Sequence, residues 1–136
     1  MGFVVDFDAT NNILRTVIEG HLTDAVAFAL AETVSKCEAS RPVGASIVDL
    51  SKVTKYDVSP DAIREFAMTS LSPSLAARTL VIVAPKEHAY GMSRMYQLLT
   101  EGTRPNQHVV RTLEEAYAVL RVTSPEFGPL NLPKTG

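Results

Sequence analysis

The chain is poor in the features that announce a chemistry. One cysteine in 136 residues rules out an internal disulfide, and Cys37 falls in a helical apolar pattern where it reads as a small buried hydrophobe. That usage fits a reducing compartment, so the cytoplasm is the expected location. Thirteen basic residues stand against fifteen acidic ones with no Lys/Arg cluster, which argues against nucleic acid as a partner. No apolar run approaches membrane-spanning length, and no basic segment leads a long apolar one at the amino terminus. Catalytic and metal-binding signatures are missing as well: there is no HxxxH, HExxH, CxxC or GxSxG spacing and no Gly-rich phosphate loop. No catalytic residue, cofactor or metal is therefore expected, and the chain reads as a non-enzyme. Repeats, low-complexity segments and linkers are also lacking.

What remains is a strong alternation of apolar patterns. Phe3, Val5 and Phe7 alternate with Gly2, Val4 and Asp6, and after Asp8-Ala9-Thr10-Asn11-Asn12 a second strand-like run covers residues 13–19, so the two predict an antiparallel hairpin. Thr23 is a good N-cap, and Val26, Leu30, Val34 and Cys37 at helical spacing predict a helix over about residues 24–39 that stops before Pro42. Val43, Ala45, Ile47, Val48 and Leu50 occupy odd and even positions alike, which predicts a strand over 43–50 covered on both faces. Ser59-Pro60-Asp61 opens the next helix, because a serine hydroxyl caps an orphan amide and proline suits the first helical position. Its apolar face is Ala62, Ile63, Phe66 and Ala67.

Ser70-Leu71-Ser72-Pro73-Ser74 reads as a loop with one helical turn after it, and Leu80-Val81-Ile82-Val83-Ala84 as a second doubly covered strand ended by Pro85. Met92, Met95, Tyr96 and Leu99 mark a helix over 88–101 whose stripe is read as core rather than as a ligand pocket. A short strand over 107–111 and a capping box at Thr112-Leu113-Glu114-Glu115 complete the domain. The order β-β-α-β-α-β-α-β-α predicts a single α/β domain over residues 1–121. Its sheet is expected to be mixed, largely parallel and five-stranded, with helices on both faces. Residues 122–136, with Pro125, Pro129, Pro133, Phe127, Leu130 and Leu132, are expected to form an extended tail, either disordered or docked on this chain or on a neighbour.

In open α/β sheets ligands gather beyond the carboxyl ends of the parallel strands. That rule selects His21 and Thr23, then Asp49, Ser51 and Ser59, then His88 and Tyr90, then Arg111 and Thr112, with Arg94 on the adjoining helix.

Ile47-Val48-Asp49-Leu50-Ser51-Lys52-Val53-Thr54-Lys55-Tyr56-Asp57-Val58-Ser59-Pro60 resembles the signature of the STAS superfamily, a strand ending Asp-Leu-Ser that leads to Asp-Ser-Ser-Gly and a helix. Gly20-His21-Leu22-Thr23, Val81-Ile82-Val83-Ala84-Pro85, Tyr90-Gly91-Met92-Ser93-Arg94-Met95 and Arg111-Thr112-Leu113-Glu114-Glu115-Ala116 are similar, in the same order, to motifs of small bacterial SpoIIAA-like proteins of that superfamily. The resemblance implies a regulatory module that binds a protein partner, as anti-sigma-factor antagonists do, switched when a kinase phosphorylates a serine. By position the phosphoacceptor would be Ser59, preceded by Asp57, with Asp49 and Ser51 beside it. Val58 stands where the signature has its first serine and Pro60 where it has glycine, so the loop departs from the pattern.

The lipid-carrier side of the same family implies a small apolar or lipid ligand instead, for which the sequence shows no obvious cavity. A pocket of roughly several hundred Å³ lined by Met92, Met95 and Phe66 would favour the carrier. A hydrolase built from rim residues is the third reading, and homodimer formation through the hairpin edge or the tail is expected alongside any of them.

Overall fold

Asp8 makes the first turn. It is 1% exposed; its Oδ1 accepts from the amides of Thr10 (3.0 Å) and Asn11 (3.1 Å), and its Oδ2 from Asn11 Nδ2 (2.7 Å). Asn12 takes a left-handed conformation (φ 57°), and the chain returns on itself. In the computed structural model, which describes residues 2–40, 43–69 and 73–129, this turn joins β1 (Phe3–Asp8) to β2 (Ile13–Thr23), antiparallel with Phe3 opposite Ile18 and Asp8 opposite Ile13. There follow α1 (Asp24–Ser40), β3 (Ala45–Asp57), α2 (Pro60–Met68), the short α3 (Pro73–Ala77), β4 (Thr79–Val83), α4 (Glu87–Leu99), β5 (Gln107–Val110), α5 (Leu113–Leu120) and β6 (Gly128–Pro129).

One sheet in the order β5-β4-β3-β2-β1-β6 results. The pairs β2/β3, β3/β4 and β4/β5 are parallel, and β1 is antiparallel to both β2 and β6. The sheet is thus mixed and six-stranded rather than five-stranded and largely parallel. The sixth strand comes from the segment expected to be an extended tail, whose first part docks on this chain: Phe7 pairs with Gly128 and Asp6 with Pro129. Of the loop expected over 70–74, residues 70–72 lie outside the described residues, whereas Pro73 and Ser74 already belong to α3, proline suiting a first helical position; the tail residues Leu130, Leu132 and Pro133 and also Pro42 lie outside the described residues.

The central strand has apolar residues on both faces, and both are used. Ile47 packs with Val81, Val83 and Val110 under Ala116 of α5; Leu50 packs with Ile18, Leu22, Leu80 and Ile82 under α1, α2 and α4. Ile47, Val81 and Val83 are fully buried, each worth roughly 1.5–3 kcal/mol of transfer free energy.

β2 and β3 run well past their expected ends at Glu19 and Leu50, reaching Thr23 and Asp57. The reason is a pair of bulges. Between Val17/Asp49 and Glu19/Lys52, and again between Gly20/Val53 and His21/Lys55, β3 spends one residue more than β2. Asp49 Oδ1 accepts from the amide of Ser51 at 2.9 Å and so fixes the first bulge, while Gly20 (φ 78°) absorbs the second. The inward residues of β3 are consequently Leu50, Val53 and Tyr56, spaced by three, a period that hides the strand from a two-residue reading.

The helix boundaries follow their caps. Ser59 Oγ accepts from Ala62 N (3.1 Å) with Pro60 at the first position of α2, and Thr112 Oγ1 accepts from Glu115 N (3.1 Å) at the start of α5. On α4, Met92, Met95 and Tyr96 pack on the core, whereas Leu99 is half exposed and lies outside the stripe.

Candidate functional site

The carboxyl rim holds three separate groups of side chains. His21 Nε2 and Asp57 Oδ2 lie 2.6 Å apart, both half exposed, and Lys55 Nζ stands 3.6 Å from the same oxygen. The hydrogen bond to His21, with Lys55 assisting, holds the Asp57 carboxyl below the ordinary aspartate range. Arg111 donates to Glu87 Oε1 at 2.7 Å, and its guanidinium lies 3.9 Å from the centre of the Tyr90 ring. Ser59 forms the third group with Asp24: its amide and its hydroxyl donate to the two carboxylate oxygens at 2.7 and 2.8 Å.

The remaining rim candidates do not converge on any of these. Asp49 is not at a strand end but in mid-strand, 2% exposed, bonded to the Ser51 amide. His88 is exposed and stands edge-on to Tyr56 at 5.2 Å, and Arg94 is exposed and donates to Gln97. Ser59 and the His21–Asp57 pair belong to separate hydrogen-bond sets, so the geometry does not assemble a nucleophile with its base. Among the described residues no group of three or more His, Cys, Asp and Glu side chains could hold a metal ion, and no helix is long and apolar enough to cross a membrane.

An apolar concavity lies elsewhere, between α1 and the sheet. α1 is fixed near both ends. At its start Asp24 holds Ser59, and the Phe28 ring sits 4.7 Å from that of Phe66. Towards its end Cys37, 2% exposed, packs with Leu14 and Val43, and Glu38 Oε1 accepts from Ser46 Oγ at 2.9 Å. Between these anchors the helix presents Ala27, Leu30, Ala31 and Val34 to a cavity of about 340 Å³.

The floor of the cavity is Thr16, Ile18 and Leu22 of β2, Ser46, Val48 and Leu50 of β3, and Leu80 and Ile82 of β4. Ile63 and Phe66 of α2 and Ser93 and Tyr96 of α4 form its wall. Small side chains cause the void: Ala27 and Ala31 stand one turn apart on the roof, with Thr16 and Ser46 below, and none reaches across the gap. The expectation that this chain offers no cavity is therefore overturned. Phe66 lines it as expected, but Met92 and Met95 do not; they pack on the core to one side.

Its lining is predominantly apolar, and its volume falls at the small end of the ~300–1,000 Å³ range of ligand pockets. Polar groups gather towards the amino ends of the parallel strands, where Thr16, Ser46, Glu38 and Arg104 meet the cavity. Glu38 has partners, Ser46 on one oxygen and Arg78 at 3.5 Å from the other. Arg104 is 8% exposed with no hydrogen-bond partner for its Nε. At the opposite end Tyr56 stands near Asp24, and burial together with that negative charge pushes its phenol up to about 12.

Arg104, Glu38 and the small-residue roof are the site residues that sequence reasoning missed. Arg104 sits in a Gly/Pro-bounded connection that reads as surface loop. The Ala27/Ala31 pair carries the one available signal, two small residues in the apolar stripe of α1 that lines the cavity. Against known proteins, the chain matches no family model and no curated sequence.

Proposed function

We propose that the protein binds a small apolar ligand in the cavity under α1 and acts as its carrier or sensor. The observation that carries this reading is the cavity itself: about 340 Å³, mostly apolar, roofed by a helix that is tied down near its ends. The space opens to solvent beside Ala31 and Ser35, and roughly ten waters' worth of volume lined mostly by apolar side chains favours an apolar occupant over solvent. The lipid-carrier side of the family that the sequence resembles supports the same reading. In this account the chain binds and releases its ligand without turning it over.

Regulation of a protein partner is the second reading, and the Asp24–Ser59 contact favours it. A phosphate on Ser59 would bring close to two negative charges against Asp24 and release the start of α1 from α2. Ligand occupancy and this contact act on the same helix, so a sensor could report through the exposed surface around Ser59.

Thermal unfolding in the presence of decanol tests the leading reading. A ligand that binds the folded chain alone adds about 2.7 kcal/mol at a hundredfold excess over Kd, so Tm is expected to rise steadily with concentration. A Tm that stays flat or falls across the soluble range of decanol contradicts it.

A further inference from the structure

We infer that the natural ligand is a single-chain carboxylate whose headgroup is held by Arg104 and whose tail runs along the sheet towards Leu22 and Val58. This rests on the ligand-binding reading above and adds the headgroup chemistry.

Buried charge at one end of the cavity points to the headgroup. The polar end of the cavity and its immediate surroundings hold two guanidiniums, Arg78 and Arg104, and one carboxylate, Glu38. Glu38 is taken by Arg78 and Ser46. Arg104 lines the cavity at 8% exposure with Nε unpartnered, and among the described residues no carboxylate is within ion-pair distance of it. A guanidinium cannot shed its charge as a lysine can, so burial without a counter-ion is costly unless another group supplies one. The loop does not need this side chain to hold its shape: the Arg104 amide donates to Thr100 O at 2.7 Å and its carbonyl accepts from Gln107 Nε2 at 2.9 Å. The charge is therefore free to serve a ligand. A carboxylate matches the planar fork of a guanidinium, and an unbranched tail matches an apolar space that continues from Arg104 past Val48 and Leu50 to Leu22 and Val58.

Calorimetric titration of the full chain with a headgroup series tests this: decanoate, decanol, decyl phosphate and decyltrimethylammonium. Decanoate is expected to bind at least about tenfold more tightly than decanol, and the cationic amphiphile not at all. Arg104→Gln is expected to weaken decanoate by roughly 10- to 100-fold while changing decanol by less than about twofold, with Arg104→Lys between the two. Retained decanol binding by Arg104→Gln shows that the variant is folded and the cavity intact. Equal affinities for decanoate and decanol, or an unaltered decanoate affinity in Arg104→Gln, overturn the headgroup assignment and leave the cavity reading standing. Decyl phosphate binding more than tenfold tighter than decanoate overturns the carboxylate in favour of a phosphate. Binding of none of the four overturns both the assignment and the reading beneath it.

Discussion

Asp24 grips Ser59 with both carboxylate oxygens, taking the amide proton at 2.7 Å on Oδ1 and the hydroxyl proton at 2.8 Å on Oδ2, while the same hydroxyl oxygen caps α2 through Ala62 N. The first residue of α1 is thereby fastened to the residue that starts α2. Ser59→Ala removes a cap and a charge-assisted bond together and is expected to cost about 1–2 kcal/mol in urea unfolding. Asp24→Ala is expected to cost about 1–3 kcal/mol, and the double variant less than the sum by at least ~1 kcal/mol. Additive losses would show that the two residues act independently.

Filling the cavity should stabilise the empty protein and exclude the ligand. Ala27→Leu places bulk under α1 and is expected to gain about 0.5–2 kcal/mol while abolishing the decanol-induced rise in Tm. The same change on the other face, Ala116→Leu, enters a site with 0% exposure and is expected to lose about 1–3 kcal/mol by overpacking. Opposite signs at two buried alanines distinguish a void from a filled core; a loss at both would contradict the void.

Much of this fold is legible in the sequence, and the parts that are not share a physical cause. Ser59-Pro60 and Thr112 announce their helices because a cap is a local arrangement of side chain and backbone. The runs at 43–50 and 80–84 announce doubly covered strands because apolar residues there fall on odd and even positions alike. The extension of β3 to Asp57 is illegible because two bulges turn its inward period from two to three. Arg104 is illegible because its burial depends on α1, α4 and the sheet meeting around one loop. The cavity is illegible for the same reason: Ala27 and Ala31 read as ordinary helix formers until the distance to Thr16 and Ser46 is known.

Asp8 gives the hairpin a pH dependence. Burial pushes its carboxyl up, but bonds from the Asn11 side chain and from the amides of Asn11, Thr10 and Glu126 outweigh this and leave it below its ordinary value of 3.8. A carboxyl lowered on folding stabilises the native state above its unfolded pKa, and that contribution is lost as pH falls through the folded value. Unfolding free energy is therefore expected to fall with pH in the window below 3.8, and Asp8→Asn to flatten this decline. An unchanged acid limb in the variant would assign the decline to other carboxylates. Because the Glu126 amide contributes, Asp8→Asn is also expected to loosen the segment that carries β6.

Tyr56 supplies a spectroscopic handle on the cavity. Its phenol is expected to titrate near 12 by ultraviolet absorbance, and Tyr56→Phe to remove that step. A group whose pKa is raised on folding stabilises the native state below its unfolded value, near 10, and the contribution is lost as pH rises towards 12. A Tyr56 phenol titrating near 10 would contradict the burial beside Asp24.

The most direct test of the ligand cavity is a methyl NMR titration of the full chain with decanoate. Methyl signals of Leu22, Leu30, Val34 and Ile63 are expected to shift and to show cross-relaxation to the ligand's chain, while those of Val81, Val83 and Val110 beneath α5 stay in place. Unmoved cavity methyls at saturating decanoate, or shifts concentrated under α5, would contradict a ligand site beneath α1.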